Sequence, residues 1–409
     1  MKRNLKINVI GLGYIGLPTA AILGRNGYDV FGIDTNLEIV ENINNSQFSN
    51  LEPGLDDALL ESISNGNLQA SSEHRSADVH IVCVPTPLIK DEKNPTPDLS
   101  YVFDAAKSLA PYIKKGDLLI IESTITVGTT EEVRMALQRL GVDTNKIHIA
   151  HCPERVIPGK IMKELIQNDR IIGGLTGDAT DRAEEFYKTF VTGNIVKTDA
   201  RTAELCKLTE NSFRDVNIAF ANELSIICDK ENINVWELIE LANRHPRVNI
   251  LLPSAGVGGH CIAVDPWFIV SKNQNESEMI QTARRVNLSK TAWVLKKINT
   301  LLESEPIEDK SKIKIGCLGI TFKPDVDDIR ESPALKIVNK LLSSGKDVMV
   351  VDPNVKKDMP FEMFDLKTVL RDADILVFLV KHKEFIELNE SPKIFEKTVL
   401  DFCGALTKF

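Results

Sequence analysis

No apolar run in the 409-residue sequence approaches the roughly 20 residues that a membrane-spanning helix needs; Ile375 to Val380, one of the longest, covers about a third of that length. A transmembrane segment is therefore excluded. Positive charge is also scarce: 49 Lys and Arg stand against 58 Asp and Glu, a formal charge of −9, so nothing is left over to neutralise a phosphate backbone and nucleic acid is not an expected partner. A basic pocket for one small anion is still compatible with that balance. The seven cysteines, Cys83, Cys152, Cys206, Cys228, Cys261, Cys317 and Cys403, are odd in number and lack paired CxxC spacing, which points away from a disulfide framework and from a zinc site; no metal is expected. The basic opening Met1 to Lys6 leads into an apolar run that meets Gly11 at once, without a small-residue cleavage site, so a cytoplasmic protein without a signal peptide is expected. With 43% hydrophobic and 26% charged residues, what remains is a soluble globular chain long enough for two or three domains.

The pattern within it is α/β. Ile7 to Ile10 reads as a buried strand running into Gly11-Leu12-Gly13-Tyr14-Ile15-Gly16 and a helix-compatible Leu17 to Gly24. Tyr28 to Ile33, ending in Asp34, then Val79 to Val84 and Leu118 to Ile121, are further strands, and their alternation with helical segments predicts a parallel, doubly wound sheet. Thr198-Asp199 can cap a helix, and Thr202 to Lys230 contains neither proline nor glycine, which predicts one long helix. A second helical stretch follows at Val235 to Ala242, then an irregular segment, His245 to Asp265, read as functional. The charged, proline-broken Glu303 to Lys310 marks a boundary. Beyond it, Ile313 to Ile320, Asp347 to Val351, Asp374 to Val380 and Thr398 to Phe402 are strand candidates of a second α/β unit. The expected fold is thus two Rossmann-like doubly wound parallel-sheet domains, 1–197 and 301–409, joined by a central helical region at 198–300.

A GxGxxG string alone is weak, but here it follows a strand, opens a helix and is followed 23 residues later by Asp34 at the end of the next strand. Gly11 suits the tight turn, Gly13 the approach of a pyrophosphate to the backbone, and Gly16 close helix packing; Asp34 either accepts from an adenosine ribose, favouring NAD over NADP, or caps a helix. Thr86, Thr124 and the cap candidate Thr130 lie at the ends of later strands as NAD or substrate contacts. Cys261, in a glycine-rich loop beside His260 and Asp265, is either a small buried hydrophobe or a nucleophilic thiolate. Lys207, Asn211, Arg214 and Glu204 share a face of the long helix, where they either converge on a ligand or face solvent. Arg247 and Asn249 precede the cysteine loop, and Lys323 and Arg330 flank Asp325, Asp327 and Asp328, as a diphosphate site or a surface ion-pair cluster.

Seven ordered strings now carry a resemblance over essentially the whole chain: GLGYIGLP at Gly11 to Pro18, VPTP at Val84 to Pro87, STITVGTT at Ser123 to Thr130, CPERVIPG at Cys152 to Gly159, ELCKLTENSFRDVNIAFANE at Glu204 to Glu223, GVGGHCIAVDP at Gly256 to Pro266, and GITFKPDVDDIRESP at Gly319 to Pro333. The sequence resembles the UDP-glucose/UDP-N-acetylhexosamine 6-dehydrogenases, which oxidise a sugar C6 alcohol to the carboxylate with two NAD. Within that family, NRHPRVN followed by GGHCIAVDPWF is most similar to members that take UDP-N-acetyl-D-mannosamine. The resemblance implies Cys261 as nucleophile and Lys207 as general acid/base or oxyanion stabiliser, with Asn211 and Asp265 in support; the chemistry of such an oxidation adds Glu154, in the loop after a strand, to activate the hydrolytic water, and Thr124 at a strand end is placed with the catalytic residues. It implies NAD contacts from Gly11, Gly13, Tyr14, Ile15, Gly16, Asp34, Thr86, Thr124, Thr130 and Arg330. The UDP-sugar would meet Arg155, Val156, Lys207, Asn211, Arg214, His245, Arg247, Asn249, Gly258, Phe322 and Lys323. A homodimer through the long central helix and a role in cell-surface polysaccharide synthesis are further implications. Thr126 stands where the family often has proline, and Ser254-Ala255 where Gly-Pro is common.

Three rival readings follow. UDP-N-acetylglucosamine or UDP-N-acetylgalactosamine differs from the manno sugar at one or two ring positions. A catalytically silent nucleotide-sugar binder would need the loss of Cys261 or Lys207, and both are present. A two-electron alcohol dehydrogenase would yield one NADH per sugar and ignore the thiol.

Overall fold

The computed structural model describes residues 5–48, 52–89, 94–305, 312–391, 394 and 396–406. Met1 to Asn4 of the basic opening, and 306–310 of the expected boundary segment, lie outside them. Contacts group the chain into two compact units, 1–209 with 267–273, and 210–266 with 274–409, so the helical middle is divided between them.

The first unit holds strands β1 (Lys6–Ile10), β2 (Asp29–Ile33), β3 (Leu68–Ser71), β4 (Val79–Val82), β5 (Leu88–Ile89), β6 (Thr96–Pro97), β7 (Leu118–Ile121), β8 (His148–His151), β9 (Arg170–Gly174) and β10 (Ile195–Asp199). Its helices are α1 (Gly16–Arg25), α2 (Leu37–Asn44), α3 (Leu55–Ser64), α4 (Ser100–Leu109), α5 (Thr129–Arg139), α6 (Ile161–Gln167) and α7 (Gly177–Tyr187). Apart from the small β5/β6 hairpin, these strands form one eight-stranded sheet in the order β10-β9-β8-β7-β4-β1-β2-β3. Strands β4 and β7 are buried throughout because helices cover both faces. Successive residues serve opposite cores: Leu118 and Ile120 face one, Leu119 and Ile121 the other. The sheet is parallel, as the alternation predicts, except at one pairing. Strands β8 and β9 pair antiparallel, His151 opposite Gly173 and Ala150 opposite Gly174.

Helix α8 (Ala200–Glu231) is the predicted long helix, and its first residues belong to the first unit. Asp199, the last residue of β10, accepts from Thr202 N at 3.0 Å and from its hydroxyl at 2.7 Å, capping the helix as expected. Helix α9 (Val235–Ala242) follows, the segment 245–264 has no regular structure, and α10 (Asp265–Lys272) begins at Asp265.

In the second unit α8 meets α11 (Glu278–Ser304) through a buried polar seam: Arg284 Nη1 donates to Asp215 Oδ1 at 2.6 Å, Asn287 Nδ2 to the same oxygen at 2.8 Å, and Lys290 Nζ to Ser225 Oγ at 2.6 Å. Strands β11 (Lys314–Leu318), β12 (Asp347–Val351), β13 (Ile375–Phe378) and β14 (Thr398–Asp401) form an all-parallel sheet in the order β12-β11-β13-β14, with α12 (Pro333–Ser343), α13 (Leu366–Asp372) and α14 (Lys383–Ile386) between them. That order repeats β2-β1-β4-β7 of the first sheet. The repetition extends to detail. Gly11 N donates to Ile33 O and Gly319 N to Val351 O, both at 2.8 Å, and Asp34 and Asp352 each hold the turn after the neighbouring strand.

Candidate active site

In the first unit the order of strands reverses between β1 and β4, and ligands of such sheets bind outside the carboxyl ends at that point. Gly11 takes φ +89°, and a Cβ there would lie 2.8 Å from Cys83 O, so the turn after β1 sits directly on the turn after β4. At Gly16 a Cβ would lie 1.8 Å from Gly11 O, which fixes glycine where α1 begins. At Gly13 a Cβ would meet no atom within 4 Å: the main chain leaves this space open in front of the N-terminus of α1. An open main-chain approach at a helix N-terminus is the setting that favours a phosphate anion. Asp34 Oδ2 accepts from Leu12 N at 2.8 Å and Oδ1 from Asn36 N at 2.9 Å, which aims the carboxylate along the same edge; the N-cap of α2 is Asn36 itself. Tyr14 hydroxyl donates to the buried Glu52, whose carboxylate also accepts from Gly159 N at 2.7 Å and Ile161 N at 3.1 Å. Glu52 thereby ties the glycine turn to the end of the CPERVIPG segment. Nothing in the local sequence announces it, since Tyr14 lies 38 residues before it and Gly159 and Ile161 lie more than a hundred after.

Thr86, Thr124 and Glu154 follow β4, β7 and β8 at the same carboxyl edge. Thr130 does not have the surroundings expected of it: Gly128 is the N-cap of α5, and Thr130 is buried, donating through N at 2.8 Å and Oγ1 at 2.6 Å to Glu204. Glu204 also takes Gly128 N at 2.6 Å. Its carboxylate therefore sits on the N-terminus of α5, where the helix field favours an anion, and does not converge with Lys207 on a ligand.

Lys207 Nζ donates to the main-chain oxygen of Glu154 at 2.7 Å. The Glu154 carboxylate is buried, with Oε2 2.7 Å from Arg170 Nη1 and Oε1 accepting from Arg155 N at 2.6 Å. Arg170 is buried too, lies 3.9 Å from Glu122, and stacks its guanidinium 5.3 Å from the Tyr187 ring. Burial pushes the Glu122 carboxyl up, an effect that Arg170 opposes. Removing Arg170 would strand two buried carboxylates at a cost on the order of 3–5 kcal/mol. The remaining contacts expected here are half-buried: Arg155 donates from Nη1 to Asp169 O at 3.2 Å, and Val156 packs on the core.

The second unit assembles the cysteine loop. Asp265 N and Val264 N donate to Cys261 O at 2.8 and 3.0 Å, closing a turn that leads straight into α10. Asp265 is buried, and its Oδ2 accepts from Asn211 Nδ2 on α8 at 2.6 Å, so Asn211 holds the base of the turn. Upstream, Gly259 takes φ +79°, its N–H donates to Arg330 O at 3.1 Å, and a Cβ would lie 2.8 Å from the Phe322 ring. At Gly258 a Cβ would lie 2.6 Å from Glu331 O. Both glycines are required by the close seat of this loop on Phe322 and Arg330 to Pro333. Lys323 extends over the Phe322 ring at 5.6 Å. Arg330 grips Asp328 with Nε and Nη2 at 3.0 and 2.6 Å, the ion-pair alternative to a free diphosphate contact; although burial pushes Asp328 up, Arg330 holds its carboxyl below the usual range. Arg214, His245, Arg247 and Asn249 are exposed, the last three on the segment after α9. Burial pushes the thiols of Cys83, Cys228 and Cys403 up, and those of Cys152 and Cys317 up to about 12; Cys261, like Cys83 and Cys206, is half-buried.

Three family models match the chain in order: the NAD binding domain of the UDP-glucose/GDP-mannose dehydrogenase family at residues 5–191, its central domain at 201–289 and its UDP binding domain at 316–408. The chain belongs to the UDP-glucose/GDP-mannose dehydrogenase family. NAD is the cofactor of the sheet that carries Gly11 to Gly16, and the second α/β sheet belongs to the domain that takes the nucleotide of a UDP-sugar. Among relatives of this dehydrogenase, UDP-N-acetyl-D-mannosamine dehydrogenase of Campylobacter jejuni is 50% identical over 97% of this chain and 99% of its own. NDP-N-acetyl-D-galactosaminuronic acid dehydrogenase of Ralstonia solanacearum is 45% identical over 97% and 95%. The solved UDP-D-ManNAc dehydrogenase of Pyrococcus horikoshii superposes with a TM-score of 0.89 at 40% identity, covering 99% of this chain and 97% of that one. Among the described residues no helix is long and apolar enough to cross a membrane.

Proposed function

We propose that this dehydrogenase oxidises UDP-N-acetyl-D-mannosamine at C6 to UDP-N-acetyl-D-mannosaminuronate, consuming two NAD per sugar, in the cytoplasm and for the synthesis of a cell-surface polysaccharide. The observation that carries this reading is the full-length similarity to UDP-N-acetyl-D-mannosamine dehydrogenases, combined with an intact cysteine turn held by Asn211 and Asp265. Bound NAD accepts the electrons of both oxidations. Loss of two hydrogens from the C6 alcohol leaves an aldehyde, which Cys261 Sγ captures by adding to the carbonyl carbon, giving a thiohemiacetal. Loss of two further hydrogens leaves a thioester. Water then displaces the thiol, releasing the acid and restoring Cys261. Lys207, fixed on Glu154 O, carries a positive charge suited to the oxyanion of each tetrahedral stage, and Asn211 keeps the nucleophile's turn in place. Glu154 serves the hydrolytic water, with Arg170 compensating its buried charge. Thr124 joins this group, while Thr86, Asp34 and the glycine turn serve NAD. Arg155, Val156, Arg214, His245, Arg247, Asn249, Gly258, Phe322 and Lys323 serve the UDP-sugar.

A homodimer is part of the reading. Phe213, Phe220 and Ile227 recur every seven residues along α8 and are 66%, 53% and 48% exposed, an apolar stripe that a second copy of the helix would cover. The 45% identity to the Ralstonia enzyme supports a second reading, in which the galacto epimer is the substrate. Steady-state assays with UDP-N-acetylmannosamine, UDP-N-acetylglucosamine, UDP-N-acetylgalactosamine and UDP-glucose decide between them. The manno sugar is expected to give the highest kcat/KM, by at least tenfold; a higher value for any other sugar overturns the assignment.

A further inference from the structure

The segment between the exposed Arg247 and the cysteine loop has no helix or strand of its own, yet three asparagine side chains engage it as neighbouring strands would. On one side Asn217 of α8 donates from Nδ2 to Asn249 O at 3.0 Å and accepts at Oδ1 from Leu251 N at 2.9 Å. On the other side Asn243, just past α9, accepts from Ile250 N at 2.7 Å and donates to Ile250 O at 3.0 Å. An extended chain alternates its polar groups in this way, and a carboxamide offers the same donor and acceptor pair as a peptide unit. Further along, Asn222 Oδ1 accepts from Ser254 N at 2.8 Å, with its Nδ2 on Asn287.

We propose that Asn217 and Asn243 are positioning residues for substrate binding: by clamping 249–251 from both edges they hold His245, Arg247 and Asn249 in the geometry that receives the nucleotide sugar. The proposal rests on the reading that this segment contacts the UDP-sugar. The clamp replaces a sheet neighbour where none exists, so the loop keeps its polar tip exposed while its backbone is ordered before the substrate arrives. Ordering the loop in advance removes an entropic cost from binding. Both asparagines are half-buried, Asn217 on α8 and Asn243 at the end of α9, so alanine there leaves no large cavity.

The test compares Asn217→Ala, Asn243→Ala and Arg247→Ala in the full-length enzyme. Amide hydrogen exchange should accelerate at Leu251 in the first variant and at Ile250 in the second. KM for the UDP-N-acetylhexosamine should rise about tenfold in each while KM for NAD moves less than twofold, a split that general loss of stability would not produce. If Arg247→Ala raises the sugar KM and neither asparagine variant does, the clamp is overturned and the substrate reading stands. If none of the three moves it, the substrate reading of this segment falls and the clamp's function falls with it.

Discussion

Two glycines three residues apart in the nucleotide turn should respond to the same substitution in different ways. Alanine at Gly16 places a methyl 1.8 Å from Gly11 O, 3.0 Å from Gly11 C and 3.1 Å from Cys83 Cβ. These obstacles include backbone, so either the turn or α1 must move. Overpacking typically costs about 1–3 kcal/mol, and a clash with backbone belongs at the upper end. For a unit of this size about 3 kcal/mol corresponds to a melting temperature roughly 6–12 °C lower. Alanine at Gly13 meets no atom within 4 Å, and φ there is not positive, so the fold should be indifferent to it. Its methyl instead fills the open space in front of α1, and NAD should bind at least about tenfold more weakly, the equivalent of about 1.4 kcal/mol. Thermal unfolding followed by circular dichroism, together with NAD titration by calorimetry, separates the two effects. A Gly13→Ala protein that binds NAD as the parent does would refute the placement of the diphosphate. A Gly16→Ala protein that melts within 2 °C of the parent would refute the packing argument.

Lys207→Met removes the ammonium seated on Glu154 O; kcat should fall about 10²–10⁴-fold with NAD affinity within twofold, and a fall under tenfold contradicts its role at the reacting oxygen. Phe220→Glu puts a charge in the apolar stripe of α8 and should convert a dimer to a monomer in sedimentation velocity at micromolar concentration; a parent that is already monomeric there removes the dimer. Lys290 is buried, and burial holds its ammonium down to about 7, against an ordinary 10.5. Between those values the unfolded chain binds more protons than the folded one, so this residue's contribution makes stability rise with pH from about 7 upward, while below 7 the burial penalty stands in full. The melting temperature of the parent relative to Lys290→Met should climb from pH 7 to 10, and parallel profiles would contradict this.

Local pattern made much of the architecture legible. The run without glycine or proline from Thr202 to Lys230 lies within α8, and the strands at Ile7, Leu118 and Asp347 are short apolar runs bounded by turns. Strands β3, β8, β9 and β10 carry a weak local signal because LQAS, HIAH, RIIGG and IVKTD lack a continuous apolar run or a clear alternation. The site divides similarly. The glycine turn and Cys261 announce themselves through spacing, because backbone geometry and loop composition are local properties. Arg170, Glu52 and Asn217 do not, because each is defined by a partner distant in sequence: Glu52 reaches Gly159, and Asn217 reaches Leu251. Thr130 shows the converse, since its position in STITVGTT says nothing of the Glu204 carboxylate that occupies it.

The central claim is a four-electron oxidation through a thioester on Cys261. With excess NAD and limiting UDP-N-acetylmannosamine, the parent enzyme should form two NADH per sugar consumed, and acid quenching during turnover followed by mass spectrometry should find the sugar acyl group on the peptide containing Cys261. Cys261→Ser should fail to reach two NADH per sugar. One NADH per sugar from the parent, or two from the serine variant at an undiminished rate, would contradict the covalent mechanism.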